Sequence, residues 1–256
     1  MHTSIALVTG AAGGIGAEVT RLLASRGTPV AAVDHDQDRL EAAVAGFTAA
    51  GLPVRGFPAD VTDSKSVDGL VTAVEDTFGP VDRLVNAAGV LRMGPVLEFG
   101  DEDWAATFAV NVTGVLHMCR AVVGRMIPRR RGAIVTVSSN AAGTPRAGMA
   151  AYAASKAAAT QFTKSLGLEV AAHGIRCNLV APGSTNTPML HAMWADEEAA
   201  RRTLDGSPEA YRVGIPLRRI GQPTDVAHAV AFLLSEEASH ITLHDLTVDG
   251  GASLGV

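Results

Sequence analysis

Short apolar runs alternate with longer amphipathic stretches along almost the whole chain. Ile5-Ala6-Leu7-Val8, Val30-Ala31-Ala32-Val33, Val54 to Phe57, Arg83-Leu84-Val85, Ala133 to Val137, Ile175 to Val180 and Leu243 to Val248 are too short for helices and mostly rich in β-branched residues. This is the pattern of strands buried on both faces. The mixed segments between them predict helices: one ending near Ser25, then about Asp38 to Ala50, Val67 to Phe78, Asp101 to Arg130, one carrying Tyr152 and running to about His173, and Thr224 to Leu234. Asp101 is the candidate N-cap of the long one.

Strands alternating with helices at this spacing predict an α/β fold with a doubly wound parallel sheet. Right-handed crossovers then set the C-terminal ends of the strands on one rim, where Gly10, Asp34, Asp60, Asn86 and Ser139 meet. Residues 189–211, with Met193, Trp194 and many Ala, Glu and Arg, read as a helical insertion. It is expected to act as a lid of about 186–212 over that rim, a packing helix being the other reading. With no repeat, low-complexity segment or linker, residues 1–256 are expected to form one domain.

The rim carries two kinds of candidate chemistry. After the first strand comes Thr9-Gly10-Ala11-Ala12-Gly13-Gly14-Ile15-Gly16. Gly10, Gly14 and Gly16 permit a tight turn and close backbone approach, so the following helix can offer free N–H groups to a pyrophosphate. Asp34, at the end of the second strand, can accept hydrogen bonds from an adenosine ribose and would repel a 2′-phosphate, which favours NAD over NADP. A strand-end Asp can also cap the next helix. Asp36 and Asp38 add to the negative field, with Arg39 alone opposing it. Asp60 and Val61 fall where a third strand would meet the adenine edge. Pro182-Gly183 breaks the strand before it, so that Thr185 and Thr187 could cover a nicotinamide.

The second kind lies between Ser139 and Lys156. Tyr152 and Lys156 are four apart in an Ala-rich helical run, so their side chains share a face. A phenol becomes a base near neutrality only if the phenolate is favoured by roughly 4 kcal/mol, and a neighbouring ammonium in a desolvated cleft supplies energy of that order. The predicted result is a general base matched to an alcohol proton, with the Ser139 hydroxyl holding the same substrate oxygen. A plain surface pair is the alternative.

Composition narrows the classes. The chain has 256 residues, 47% hydrophobic, and a net charge of −5 with dispersed Lys and Arg. Nothing in that distribution points to nucleic acid or a membrane surface. No apolar run reaches the length of a bilayer span, and Met1-His2-Thr3 opens no targeting segment. Cys119 and Cys177 sit in apolar stretches, as reduced thiols of a cytoplasmic protein would. His240 and His244 flank Ile241-Thr242-Leu243, which reads as strand, so no metal site is expected. Arg129-Arg130-Arg131 reads as a solvated helix C-terminus. Asn111 lies mid-helix, where Asn needs a reason to be.

Taken together, Thr9-Gly10 with Gly14 and Gly16, Asn86-Ala87-Ala88-Gly89, Asn111, Ser139, Tyr152/Lys156 and Pro182-Gly183 resemble the short-chain dehydrogenase/reductase family over essentially the whole chain. The resemblance implies a Rossmann-type fold, a nicotinamide cofactor, and Ser139, Tyr152, Lys156 and Asn111 as catalytic set, Asn111 aiding a proton relay. It also implies cofactor contacts from Gly10, Gly14, Ile15, Gly16, Asn86, Ala87 and Gly89 and a homotetramer with helices 101–130 and 152–173 at one interface.

Within the family, Asn86 to Gly94, Gly132 to Val137, Thr144 to Met149 and Ala238 to Leu243 resemble the 2,3-dihydro-2,3-dihydroxybenzoate dehydrogenases of catechol siderophore synthesis, with Asn140 departing from the Asp expected there. That resemblance implies NAD-dependent oxidation of the C3 hydroxyl of a dihydroaromatic carboxylic acid to an aromatic product. Such a substrate needs a cation for its carboxylate, and Arg92 and Arg146 are the two best placed along the chain. Met93, Met149, Met189 and Trp194 could form an apolar wall for a flat ring. Dehydrogenation of trans-2,3-dihydro-3-hydroxyanthranilate, a generic 3-oxoacyl or secondary-alcohol reductase, and a non-catalytic NAD-binding regulator stand as alternatives.

Overall fold

The computed structural model describes residues 4–194 and 196–255. Met1-His2-Thr3, the stretch in which no targeting segment was expected, lies outside the described residues. Seven parallel strands form one sheet: β1 (Ile5–Thr9), β2 (Val30–Asp34), β3 (Val54–Pro58), β4 (Val81–Asn86), β5 (Gly132–Val137), β6 (Ile175–Pro182) and β7 (Asp245–Val248), in the order β3-β2-β1-β4-β5-β6-β7. The helices are α1 (Gly14–Ser25), α2 (Gln37–Ala49), α3 (Ser64–Phe78), α4 (Asp101–Phe108), α5 (Val115–Arg129), α6 (Ala150–Val170), α7 (Pro188–His191), α8 (Glu197–Asp205) and α9 (Pro223–Leu234).

Strand residues alternate between two buried cores, which is why the runs read as continuously apolar. Ala6, Val8, Ala32, Val85 and Val135 face α1 and α9, whereas Leu7, Ala31, Val33, Leu84 and Ile134 face α3 and α5. Since β1 lies between β2 and β4, the chain direction across the sheet reverses there and opens a crevice at the carboxyl ends of these strands.

Four expectations are corrected. The long helix is not uniform: Ala109–Gly114 forms a π turn between α4 and α5, and the N-cap is Gly100, with Asp101 in the first turn. The Asp101–Arg129 run is long and apolar enough to cross a bilayer by length and composition; in the fold, Met118, Cys119, Val122 and Met126 bury its inner face in the core. The basic triplet is engaged rather than solvated. Arg129 donates to Glu75 and to the Val81 carbonyl, Arg130 to the Ala172 carbonyl, and Arg131 grips Asp82 through two nitrogens at 2.6 and 3.2 Å. Finally, Ile241-Thr242-Leu243 is not strand. The Leu243 amide donates to the Cys177 carbonyl of β6 (2.7 Å), and the Asn178 side chain donates to the Ile241 carbonyl (2.8 Å) and accepts from the His244 amide (3.0 Å), while Leu243 turns to φ +63° and breaks the ladder.

Candidate active site

The first strand ends against the fourth strand's loop. Thr9 Oγ1 accepts hydrogen bonds from the Ala87 and Ala88 amides, both at 3.1 Å, and so fixes the Asn86–Gly89 loop to the glycine-rich turn. A side chain at Gly10, where φ is +67°, would meet the Ala88 nitrogen at 2.8 Å, and one at Gly16 would collide with the Gly10 carbonyl. Among the described residues no side chain caps α1, so its first amides face the crevice without a partner of that kind. This cradle fits a pyrophosphate held by backbone N–H groups. The Thr187 methyl group lies against Gly14, so the 183–190 strap closes over the turn. The strap is internally tied by Thr185 Oγ1 to the Gly183 carbonyl and Thr187 Oγ1 to the Thr185 carbonyl.

Asp34 stands beside this turn. Its Oδ2 accepts from the Ala12 amide (3.1 Å) and its Oδ1 from the Asp36 amide (3.2 Å). The helix-capping role belongs instead to Asp36, which accepts from the Arg39 amide at the start of α2. Asp60 holds the Thr62 amide and hydroxyl, both at 2.8 Å. Two of the expected cofactor contacts turn inward. Val61 is buried against Gly114, and the Asn86 amide bridges Cys119 Sγ and Thr136 Oγ1, joining β4 to the core. Asn86 and Val61 can therefore reach a ligand only through their backbone.

At the end of β5, Ser139, Tyr152 and Lys156 line one cavity. Lys156 donates to the Val137 carbonyl at 2.9 Å, and its ammonium lies 5.8 Å from the centre of the Tyr152 ring. Burial pushes the Tyr152 phenol up, against a hydrogen bond with the Ser139 hydroxyl that favours the phenolate. Burial likewise pulls the Lys156 ammonium down to about 8. Desolvation thus dominates both groups, and the serine is the phenol's hydrogen-bonding neighbour.

Asn111 sits in the π turn and is 1% exposed. Its Nδ2 donates to Ser155 Oγ (2.9 Å) and the Val90 carbonyl (3.0 Å), and its Oδ1 accepts from the Val90 amide (2.9 Å). Ser155 in turn donates to the Tyr152 carbonyl at 2.7 Å. The buried amide therefore locks the Gly89–Leu91 loop to the helix that carries Tyr152. Thr9 entered the sequence reading only as part of the family motif and Ser155 not at all, because their roles depend on partners over 40 residues away.

The cavity beside Tyr152 encloses about 150 Å³. Ile15, Ala87, Gly89, Pro182, Gly183, Thr185 and Thr187 form its cofactor side, while Arg146, Met149 and Met189 line its other walls. Arg92 is not brought there; it pairs with Asp103 at 2.7 Å, half exposed on the flank. Met93 is likewise exposed and off the cavity. Trp194 braces α7 against α8 by donating to Thr203 Oγ1 at 3.1 Å. In their place the structure supplies Leu190, Met193, Ile215 and Arg212, all from the insertion and its exit.

A larger cleft of about 580 Å³ lies at the opposite ends of the strands. Arg176 there is committed to the Leu233 and Ser235 carbonyls, and Arg131 to Asp82. Among the described residues no cluster of His, Cys, Asp and Glu could hold a metal.

The short chain dehydrogenase family model matches residues 4–198. The 2,3-dihydro-2,3-dihydroxybenzoate dehydrogenase of Bacillus subtilis is 54% identical over 98% of this chain and 97% of its own, and the Escherichia coli enzyme of the same name is 42% identical over 97% and 96%. An actinorhodin polyketide ketoreductase solved with NADPH superposes with a TM-score of 0.90, 34% identity and coverage of 98% and 97%. With the glycine cradle and the Ser139, Tyr152 and Lys156 cavity on the same rim, the chain belongs to the short-chain dehydrogenase family and is an oxidoreductase that uses a nicotinamide cofactor.

Proposed function

We propose that this chain oxidises the C3 hydroxyl of 2,3-dihydro-2,3-dihydroxybenzoate with NAD, yielding 2,3-dihydroxybenzoate for siderophore synthesis. The observation that carries the reading is a half-buried arginine, Arg146, in the same cavity of about 150 Å³ as Ser139 and Tyr152. Arg146 supplies the positive charge that a ring carboxylate requires. The identity to enzymes of this name supports the same substrate class.

The cofactor contributes one thing when bound, a nicotinamide that accepts the hydride. The rest belongs to the chain. Ser139 donates to the C3 oxygen and Tyr152 takes its proton. Lys156 makes the phenolate accessible by placing a positive charge 5.8 Å from the ring centre. The ketone so formed tautomerises to a phenol, and aromaticity drives the oxidation forward. Asp34 supports NAD over NADP, because a carboxylate at the ribose position repels a 2′-phosphate.

Asn140 keeps a second substrate in view. Its Nδ2 is spent on Asp249 at 3.1 Å, leaving Oδ1 to accept at the cavity wall. An acceptor serves a C2 amine as well as a C2 hydroxyl, so trans-2,3-dihydro-3-hydroxyanthranilate is the comparison substrate. Purified protein with NAD, assayed on both acids by absorbance of the reduced cofactor, decides between them. Turnover of neither refutes the dihydroaromatic reading.

Exposed Trp104, Leu116 and Leu168 on α4, α5 and α6 support a homotetramer with these helices at one interface. The 186–212 segment serves as the lid of a single domain.

A further inference from the structure

Two arginines reach the ring cavity from different parts of the chain. Arg146 comes from the turn between β5 and α6, and Arg212 from the exit of the insertion. Among the described residues neither has an ion pair or a side-chain hydrogen bond. The exposed arginines nearby do: Arg92 holds Asp103, Arg218 holds Asp205, and Arg219 holds Asp225.

The backbone that presents Arg212 is tightly built. Ser207 and Arg212 exchange both main-chain hydrogen bonds, at 2.9 and 3.0 Å, and Tyr211 between them takes φ +53°. Gly206 and Gly214, at φ +92° and +78°, press backbone on backbone; a side chain at Gly214 would sit 2.7 Å from the Asp205 carbonyl carbon. The Ile215 amide then donates to the Leu204 carbonyl at 2.9 Å, anchoring the turn to the end of α8. Arg212 is therefore held in place by its own main chain rather than drawn in by a partner.

Burial lowers the Arg212 pKa, and Arg146 lowers it further by repulsion. Burial lowers that of Arg146 too, Asp249 acting against it. Asp249, however, is occupied by the Ser253 hydroxyl, the Asn140 amide and the Gly251 and Ser253 amides. Two like charges of reduced solvation thus share a small cavity, and among the described residues no carboxylate lines it. Such a pair is unfavourable unless a ligand brings the missing negative charge.

We infer that Arg212 is a second carboxylate-binding residue, which clamps the ring acid together with Arg146 and makes the site select ring carboxylates over neutral ring alcohols. The inference rests on the dihydroaromatic reading above and adds to it a residue that the linear order of the chain does not suggest. Since Arg212 belongs to the insertion, carboxylate binding also ties the 206–214 turn to the catalytic rim.

The test compares wild type, R212Q and R212K on the dihydroxy acid and on its neutral counterpart, the dihydrodiol lacking the carboxylate. Loss of one charge-assisted bidentate contact predicts that R212Q lowers the acid-to-diol ratio of kcat/KM by roughly 10- to 100-fold, mainly through KM, with part restored in R212K. The same proteins are titrated calorimetrically with 2,3-dihydroxybenzoate and with catechol. Wild type should prefer the acid and R212Q should lose most of that preference. An acid-to-catechol affinity ratio unchanged in R212Q overturns the clamp while leaving the substrate reading intact. No turnover of the acid by wild type overturns the substrate reading, whatever R212Q does.

Discussion

Replacing Lys156 by Met keeps an unbranched chain of similar bulk and removes the charge. With the ammonium 5.8 Å from the Tyr152 ring centre, the lost attraction on a phenolate is about 3 kcal/mol at an effective dielectric of about 20. That corresponds to about two pKa units, or roughly 100-fold in rate below the pKa. The pH profile of kcat/KM for K156M should therefore keep its shape, with its rising limb about two units higher. Stability gives an independent readout. The Lys156 pKa falls from 10.5 unfolded to about 8 folded. Between those values the unfolded chain binds the extra proton, so this residue makes stability rise with pH. The stability of wild type minus that of K156M, from urea melts, should climb by up to about 1.4 kcal/mol per pH unit in that window and be flat below it. A rising limb that stays in place in K156M would falsify the assignment of Lys156 as the charge that poises the phenol. A flat stability difference would show that the ammonium is not desolvated.

Asp34→Asn keeps the side chain's size and removes the charge set between the Ala12 and Asp36 amides. The preference for NAD over NADP, measured as a ratio of kcat/KM, should fall by at least about tenfold as the repulsion of a 2′-phosphate is relieved; an unchanged ratio would place cofactor choice elsewhere. The two thiols predict alkaline weakening. Burial raises Cys119 to about 12 and Cys177 also upward, so above pH 9 the unfolded chain ionises first and each thiol lowers stability with rising pH. Cys119→Ala should flatten that decline in urea melts between pH 9 and 11 by up to about 1.4 kcal/mol per unit, and an identical slope would refute the burial argument.

The strands and most helices were legible because sheet strands covered on both faces leave an unbroken apolar run, as in Ile5–Thr9 and Gly132–Val137. The run Ile241-Thr242-Leu243 misled because it meets β6 through single bonds, such as Leu243 N–H to the Cys177 carbonyl and the Asn178 side chain to the Ile241 carbonyl, and Leu243 then turns to φ +63° before the ladder of β7 begins. The same limit applies in the site. Gly10, Asp34, Ser139 and Tyr152 stand at strand ends or one helical turn from Lys156, positions that linear spacing encodes. Asn111 looked like an unfavourable helix residue, and its reason is a π turn stitched to Val90 and Ser155. Arg92 and Met93 do not line the cavity because the loop after β4 turns outward, where Asp103 captures the arginine.

This contrast separates two kinds of specificity in one chain. In the proposed mechanism, groups that act on the transferred proton and hydride sit on the sheet rim, where main-chain geometry fixes them: Lys156 on the Val137 carbonyl, Ser139 just past β5, and the glycine turn against Ala87 and Ala88. In the same reading, groups that judge the rest of the substrate come from the turn at Arg146 and the insertion between β6 and α9, which is held together by short local bonds such as Trp194 to Thr203 and Ser207 to Arg212. Changes in the insertion can therefore alter which ring is accepted without disturbing the proton path. The same chemistry can then serve different alcohols on one fold.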